Sequence, residues 1–218
     1  MPEHMSRRRT ARSTWLALIS LIGFVVLALV VSSQGAVGFD DPVTAFVKGL
    51  SVSTATWELI TECGGVILVP IGIIVVLALL AQRRPRLATI YGITLLAASA
   101  WTHIVKVTIG RERPPEVALI VAQGFSFPSG HALNSTVTYG LIALLVWRAW
   151  WPARVRVVLV IVLCSLPILI GLSRVALGVH YPSDVVGGWL AGVTIVATVA
   201  TITARDPDRP KTMRHGSG

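Results

Sequence analysis

The sequence predicts an all-α, polytopic membrane protein: a bundle of six transmembrane helices with one more helix lying at the outer interface. Three observations carry this expectation. The 218 residues are 54% hydrophobic and only 13% charged, where soluble domains carry about 25% charged residues. Mean hydropathy is +0.74. Six apolar runs approach the roughly 20 residues that a helix needs to cross a bilayer.

Those runs cover residues 15–31, 64–81, 87–105, 132–147, 157–172 and 185–204. The fourth and fifth are short and are expected to extend into their flanks. Arg7, Arg8, Arg9 and Arg12 precede the first run, as in a secretory signal. The apolar stretch is long for a signal, however, and residues 32–36 make a poor cleavage site, so the helix is read as retained. Segment 34–63 is mixed. Asp40-Asp41-Pro42 looks like a helix start with Pro42 at the first helical position. Val43, Phe46, Val47 and Leu50 then recur at helical spacing, which suits an amphipathic interfacial helix or an ordinary structured loop. Residues 82–86 form a tight turn, and 111–128 form a loop broken by Pro114, Pro115 and Pro128. The chain thus divides into a basic cytoplasmic start (1–13), a six-helix membrane domain (14–204) and a flexible cytoplasmic tail (205–218). Cys63 and Cys164 lie in or beside apolar runs and read as packing residues, not as a disulfide.

The net charge of +9 raises the question of an anionic partner. The basic residues form short clusters between apolar runs, which argues against nucleic acid and for a membrane. With six spans and the N-terminus inside, the inner segments hold fourteen lysines and arginines and the outer segments five, which together are the 19 of the chain. That asymmetry puts both termini in the cytoplasm.

The five outer cations are Lys48, Lys106, Arg111, Arg113 and Arg174. Four of them flank spans three to six, where insertion rules disfavour them, so a functional reason is needed. Lys106 ends the third span and Arg113-Pro114 follows. Pro128-Ser129-Gly130-His131 opens the fourth. Ser173-Arg174 closes the fifth, His180 follows, and Asp184 opens the sixth. If the helices bundle, these groups converge at the outer surface, and each suits phosphoryl transfer. Lys106, Arg113 and Arg174 can neutralise phosphoryl oxygens. Ser129 and Gly130 stand at a helix N-terminus, where N–H groups bind anions and glycine allows close approach. His180 can attack phosphorus while Asp184 holds its other ring nitrogen. Pro182 between them leaves open whether they form a helical pair. His131 can protonate the leaving oxygen.

Other polar residues receive plainer readings. His103 is a hydrogen-bonded structural group, Arg111 a loop charge beside the site, and Glu58, Glu62, Glu112 and Glu116 are solvated. His4 and His215 belong to the tails.

The three segments Lys106-x6-Arg113-Pro114, Pro128-Ser129-Gly130-His131 and Ser173-Arg174-x5-His180-x3-Asp184 resemble the tripartite signature of the type 2 phosphatidic acid phosphatase superfamily. They match it in order and spacing over the stretch from Lys106 to Asp184, and the six-span layout is similar to that of small bacterial members. The resemblance implies phosphate binding by Lys106, Arg113, Ser129, Gly130, His131 and Arg174. It further implies His180 as nucleophile of a phosphohistidine intermediate, Asp184 as its orienting carboxylate, His131 as general acid, and no metal cofactor. Pro115 departs from the family, where many members carry an aromatic or other apolar residue. The expected activity is hydrolysis of a phosphomonoester or pyrophosphate of a phospholipid or polyprenyl lipid. Phosphatidylglycerol phosphate, phosphatidic acid and undecaprenyl pyrophosphate are the substrate types in view.

The alternatives are a lipid phosphotransferase on the same site, a vanadium haloperoxidase and a membrane transporter. Six spans argue against the haloperoxidases, which are soluble and larger. A transporter should carry polar or broken helices near the midplane, whereas the ionisable groups here gather at one face.

Overall fold

The structure, a computed structural model, describes residues 3–35, 37–115 and 118–205. The predicted tail from residue 206 onward and Glu116 lie outside the described residues. Eight helices follow one another: α1 (Glu3–Gln34), α2 (Asp40–Lys48), α3 (Thr54–Glu62), α4 (Leu68–Ala81), α5 (Pro85–Ile109), α6 (Gly130–Arg148), α7 (Ala153–Ala176) and α8 (Pro182–Ile202). A 3-10 turn, Thr203–Arg205, ends the described chain.

Among the described residues, four helices are long and apolar enough to cross a membrane: the Thr10–Gln34 part of α1, then α5, α7 and α8. The expected α4 and α6 spans do not meet that measure. Residues 63–67 form a turn, so α4 holds only 14 residues. α6 has 19 residues, but His131, Asn134, Ser135, Thr136 and Thr138 crowd its first half. It is the central helix, and Ser135 and Thr138 are buried against its neighbours. The outward faces remain apolar, with Trp15, Ile19 and Ile22 of α1, Ile74 of α4 and Ile161 of α7 exposed. A contiguous surface of that kind marks contact with lipid.

Local chemistry sets the helix ends. α5 starts with Pro85 in its first turn and stops at Gly110, whose φ of +66° lets its N–H reach the Lys106 carbonyl. α2 begins at Asp40 after Phe39, so Pro42 stands at the third helical position and not the expected first. α3 was not foreseen. Its cap is Ser53, whose Oγ accepts the Thr56 N–H at 3.2 Å, and it buries Trp57 and Thr61.

α8 packs between α1 and α6, and α6 also packs on α7. Glycines set the spacing. A methyl on Gly188 would stand 2.7 Å from the Ser129 carbonyl oxygen, and one on Gly192 2.6 Å from Thr136 Cβ. Small residues of this kind let helix backbones approach closely. Arg148 Nη1 donates to Thr203 Oγ1 at 2.9 Å, and the hydroxyls of Ser13 and Thr201 lie 2.8 Å apart. The start of α1 and the ends of α6 and α8 therefore share one end of the bundle. At the other end, the Ser183 N–H donates to Asp40 Oδ1 at 2.8 Å, which ties α2 to the start of α8. Cys63 and Cys164 are both free, as expected.

The glycine seam is open to test by thermal unfolding in detergent. Gly188→Ala should destabilise the bundle by about 1–3 kcal/mol, the usual cost of overpacking. Gly38→Ala, with nothing within 4 Å of the new methyl, should unfold at the native temperature.

Candidate active site

The predicted residues converge at one end of the bundle. His180 sits in the α7–α8 connection and is almost wholly buried. Its Nδ1 lies 3.2 Å from Asp184 Oδ2. Asp184 is in the first turn of α8, and the same Oδ2 accepts the Tyr181 N–H at 2.9 Å. That second bond is the carboxylate half of a capping box. Pro182 therefore opens the helix at its first position and does not obstruct the pair. With Nδ1–H on Asp184, Nε2 carries the ring's lone pair, which accepts a long hydrogen bond from Arg113 Nη1 at 3.4 Å. Burial pushes the His180 pKa down to about 4, with Lys106 and Arg174 adding to the fall and Asp184 opposing it. The ring is accordingly neutral at pH 7, as a nucleophile requires.

The cations are held in place by backbone oxygens. Arg113 donates from Nε to the Gly124 carbonyl at 2.9 Å, from Nη2 to Gln123 at 2.8 Å and from Nη1 to Val179 at 2.6 Å. Lys106, in the last turn of α5, donates to the carbonyls of Phe125 and Ser126. Arg174, at the end of α7, is buried and donates from Nη1 to Thr61 Oγ1 of α3 at 2.9 Å, and its Nε has no partner. Ser173 bonds back to the Ile170 carbonyl at 2.7 Å and so serves its own helix.

The α6 start supplies the rest. Ser129 Oγ is fully buried and has no hydrogen-bond partner. A buried hydroxyl left unpaired is costly, and this one stands at the head of α6, two residues before His131. The Ser129 N–H is already used by the Asp184 carbonyl at 2.9 Å. Anion binding by backbone therefore falls to the first-turn N–H groups of α6, which have no intrahelical acceptor. A side chain on Gly130 would meet only Thr102 Cγ2, at 3.5 Å, so the protein itself leaves that space open. His131 is half-buried, makes no hydrogen bond to the described residues, and is close enough to Arg174, His180, Lys106 and Arg113 to feel their charge.

Three readings of single residues change. Arg111 is not a solvated loop charge. It is buried and bonds Asp184 Oδ1 at 2.6 Å, Ser183 Oγ at 2.7 Å and Asp40 Oδ2 at 2.9 Å. Asp40 is likewise more than a helix start, being 1% exposed. Both escaped the sequence reading because their partners lie more than 70 residues apart in the chain. The one available signal was that Arg111 is an outer cation within the Lys106–Arg113 segment. His103 is exposed on α5 and not a hydrogen-bonded structural group. Glu58, Glu62 and Glu112 are exposed, as expected.

An apolar groove of about 750 Å³ runs between α4, α5 and α6 and opens beside Gly130 and His131. Val69, Ile73, Val76 and Leu96 line its length. A second groove of about 710 Å³, between α6, α7 and α8, is lined by none of the site residues.

Comparison with known proteins gives a consistent family. The PAP2 superfamily profile matches residues 87–207. Phosphatidylglycerophosphatase B of Bacillus subtilis is 37% identical over 93 residues, which are 42% of this chain and 46% of that protein. The decaprenylphosphoryl-5-phosphoribose phosphatase of Mycobacterium tuberculosis is 33% identical over 133 residues, 57% of this chain and 66% of its own length. An undecaprenyl-diphosphatase of Sulfolobus acidocaldarius is 35% identical over 83 residues, 38% of this chain and 36% of that one. The chain thus matches between about one third and two thirds of the length of these relatives. The crystal structure of a transmembrane PAP2-type phosphatidylglycerolphosphate phosphatase from Bacillus subtilis superposes with a TM-score of 0.79. It shares 22% identity, over 90% of this chain and 100% of that one.

Ser129→Ala deletes a hydroxyl that bonds nothing among the described residues, so its unfolding temperature should stay at the native value. Inorganic phosphate should bind about 10–100-fold more weakly, the worth of one hydrogen bond to a charged group. Unchanged phosphate inhibition in this variant would remove Ser129 from the phosphate site.

Proposed function

The chain belongs to the PAP2 superfamily, and from that premise we propose that it is an integral membrane lipid phosphatase acting through a phosphohistidine on His180. One observation carries this reading: His180 has Nδ1 on Asp184 and Nε2 beside the Arg113 guanidinium. A phosphoryl group held by Arg113, Lys106, Arg174, the Ser129 hydroxyl and the α6 N-terminus lies in reach of that lone pair.

The chemistry then runs in two displacements. The Nε2 lone pair of His180 forms a bond to phosphorus, and the bond from phosphorus to the leaving oxygen breaks. Protonated His131 gives its proton to that oxygen. Burial and the cations Arg174, Lys106 and Arg113 pull the His131 pKa down, so the proton it passes on is one that the phosphate monoanion brings into the site. Asp184 steadies the positive charge that develops on the His180 ring. In the second step His131 takes a proton from water, the water oxygen bonds phosphorus, and the P–N bond breaks to return the electron pair to Nε2. The fixed cations supply stabilisation of the charge on the phosphoryl oxygens throughout. No step is routed through a metal.

Lipid is the substrate class because the apolar groove between α4, α5 and α6 ends at His131, on the acid side of the site. A chain lying in it would present its phosphate to the cations. The relatives are named for phosphatidylglycerophosphate, a decaprenyl phosphoribose and undecaprenyl diphosphate, which support phospholipid and polyprenyl substrates alike. On the same reading α4 and α6 also cross the membrane, giving six spans. The basic turns after α4 and α6 then face the cytoplasm with both termini, and the site opens on the extracytoplasmic side.

Phosphate release from a panel of detergent-solubilised lipid phosphates and pyrophosphates tests the chemistry. The native protein should release phosphate with or without EDTA, and His180→Ala should lose several orders of magnitude in kcat. Undiminished release by His180→Ala would remove the nucleophile. For the orientation, Ala118→Cys in a background with Cys63 and Cys164 replaced by serine should react with a membrane-impermeant thiol reagent on intact cells. Labelling only after lysis would place the site inside.

A further inference from the structure

One carboxylate and one guanidinium are buried together behind the His180–Asp184 pair. Arg111 and Asp184 have side chains 4% and 0% exposed, and Asp40 is 1% exposed. Arg111 Nη1 bonds Asp184 Oδ1 at 2.6 Å, and Nη2 bonds Asp40 Oδ2 at 2.9 Å. Asp40 is held in turn by Ser183, from its N–H to Oδ1 and its hydroxyl to Oδ2, both at 2.8 Å. The Val37 N–H adds a bond to Oδ2 at 3.2 Å. The guanidinium lies 4.0 Å from the centre of the Tyr181 ring.

This arrangement divides the two oxygens of Asp184. Oδ2 takes His180 and the Tyr181 N–H, while Oδ1 takes Arg111. Rotation of the carboxylate would break bonds at both ends at once, so the His180 tautomer and ring plane are fixed from behind. The same contact has an electrostatic side. Arg111 draws negative charge away from the hydrogen bond to His180, and Asp40 draws Arg111 in the opposite direction. Asp40 stands at the start of α2, far from Asp184 in the chain, and no contact of Asp40 with the phosphate pocket is needed for this effect.

Resting on the reading of His180 as nucleophile, we propose that Arg111 is a positioning residue for the reaction. It locks Asp184 onto His180, and Asp40 of α2 sets how much of the Arg111 charge Asp184 receives. The other charged or titratable groups around His180 are Lys106 of α5, His131 of α6, Arg174 of α7 and Arg113 of the loop. All of them face the phosphate side. Arg111 and Asp40 stand on the opposite side, beyond Asp184, so they act on His180 without touching substrate.

The test is the pH dependence of kcat/KM for native protein, Arg111→Met, Arg111→Lys and Asp40→Asn, each first checked for its unfolding temperature in detergent. Ionisation of the substrate is common to all four, so differences belong to the protein. Arg111→Met should lower kcat about 10–100-fold with KM little changed, the size typical of a group that orients a reactive one. Its acid limb should move up by roughly one pH unit, because Asp184 then holds a proton on His180 more strongly. Arg111→Lys, which keeps the charge, should recover most of that shift and part of kcat. Asp40→Asn should move the limb down, since Arg111 is left wholly to Asp184. Shifts of the same sign in Arg111→Met and Asp40→Asn would overturn the proposal, as would an unmoved limb in both. Failure of all three variants to fold would also overturn it and leave the cluster a structural ion network. His180→Ala separates the two readings. If it stays active, the phosphohistidine reading falls. If it is inactive while the limbs do not move, only the role of Arg111 falls.

Discussion

The site depends on one backbone contact between two helix starts. The Ser129 N–H at the head of α6 donates to the Asp184 carbonyl in the first turn of α8 at 2.9 Å. Gly188, one turn further along α8, has no side chain to hold the helices apart. This contact places the hydroxyl and histidine of α6 against the histidine and carboxylate of the α7–α8 segment. Residues more than 40 positions apart thereby form one pocket, and no side chain is spent on joining them. In an apolar solvent a backbone bond of this kind has no competing water, so it can set register where hydrophobic contrast between helices is weak.

Around this contact the electrostatics are arranged by exclusion. Three cations would repel one another if they were free to move. Each is instead held by neutral oxygens: Arg113 by three carbonyls, Lys106 by two and Arg174 by a threonine hydroxyl. Neutral partners leave most of that positive charge available to an anion, and Glu62 offsets part of it at Arg174. The carboxylates of Asp184 and Asp40 lie to the other side, with Arg111 between them, while Glu62 stands near Arg174 and His131 at the groove. Lys106, Arg113 and Arg174 thus stand on one side of His180, and Asp184, Arg111 and Asp40 on the other. The neutral imidazole stands on the boundary between these halves.

Much of this was legible in the sequence because it is local. Apolar runs fixed six of the helices and roughly their limits. The spacing Lys106–Arg113, the run Pro128 to His131 and the spacing Arg174–His180–Asp184 named the cations, the two histidines and the carboxylate that meet at one end of the bundle. What was not legible is what depends on long-range pairing. Arg111 read as a loop charge because nothing near it in the chain shows a partner, and its carboxylates come from Asp40 and Asp184. α3 was missed because Trp57, Ile60 and Thr61 make only a short periodic pattern, and burial against α7 gives it meaning. α6 was read as an ordinary apolar span. Its serines and threonines are tolerated because it is enclosed by other helices, a condition that hydropathy along the chain cannot express.

The brevity of α4 bears on the membrane itself. Fourteen residues of helix rise about 21 Å, while the hydrocarbon core is about 30 Å thick. The shortfall lies at the site end, where the turn over residues 63–67 replaces helix and a methyl on Gly65 would stand 3.4 Å from His131 Nε2. A wall that is too short is met by thinning of the adjoining bilayer. If α4 spans, the headgroup plane dips on this flank towards the mouth of the apolar groove. A lipid phosphate then travels less far out of its own leaflet to meet the cations. Bilayer thickness becomes a variable of the reaction, set by the host membrane and not by any residue of the pocket.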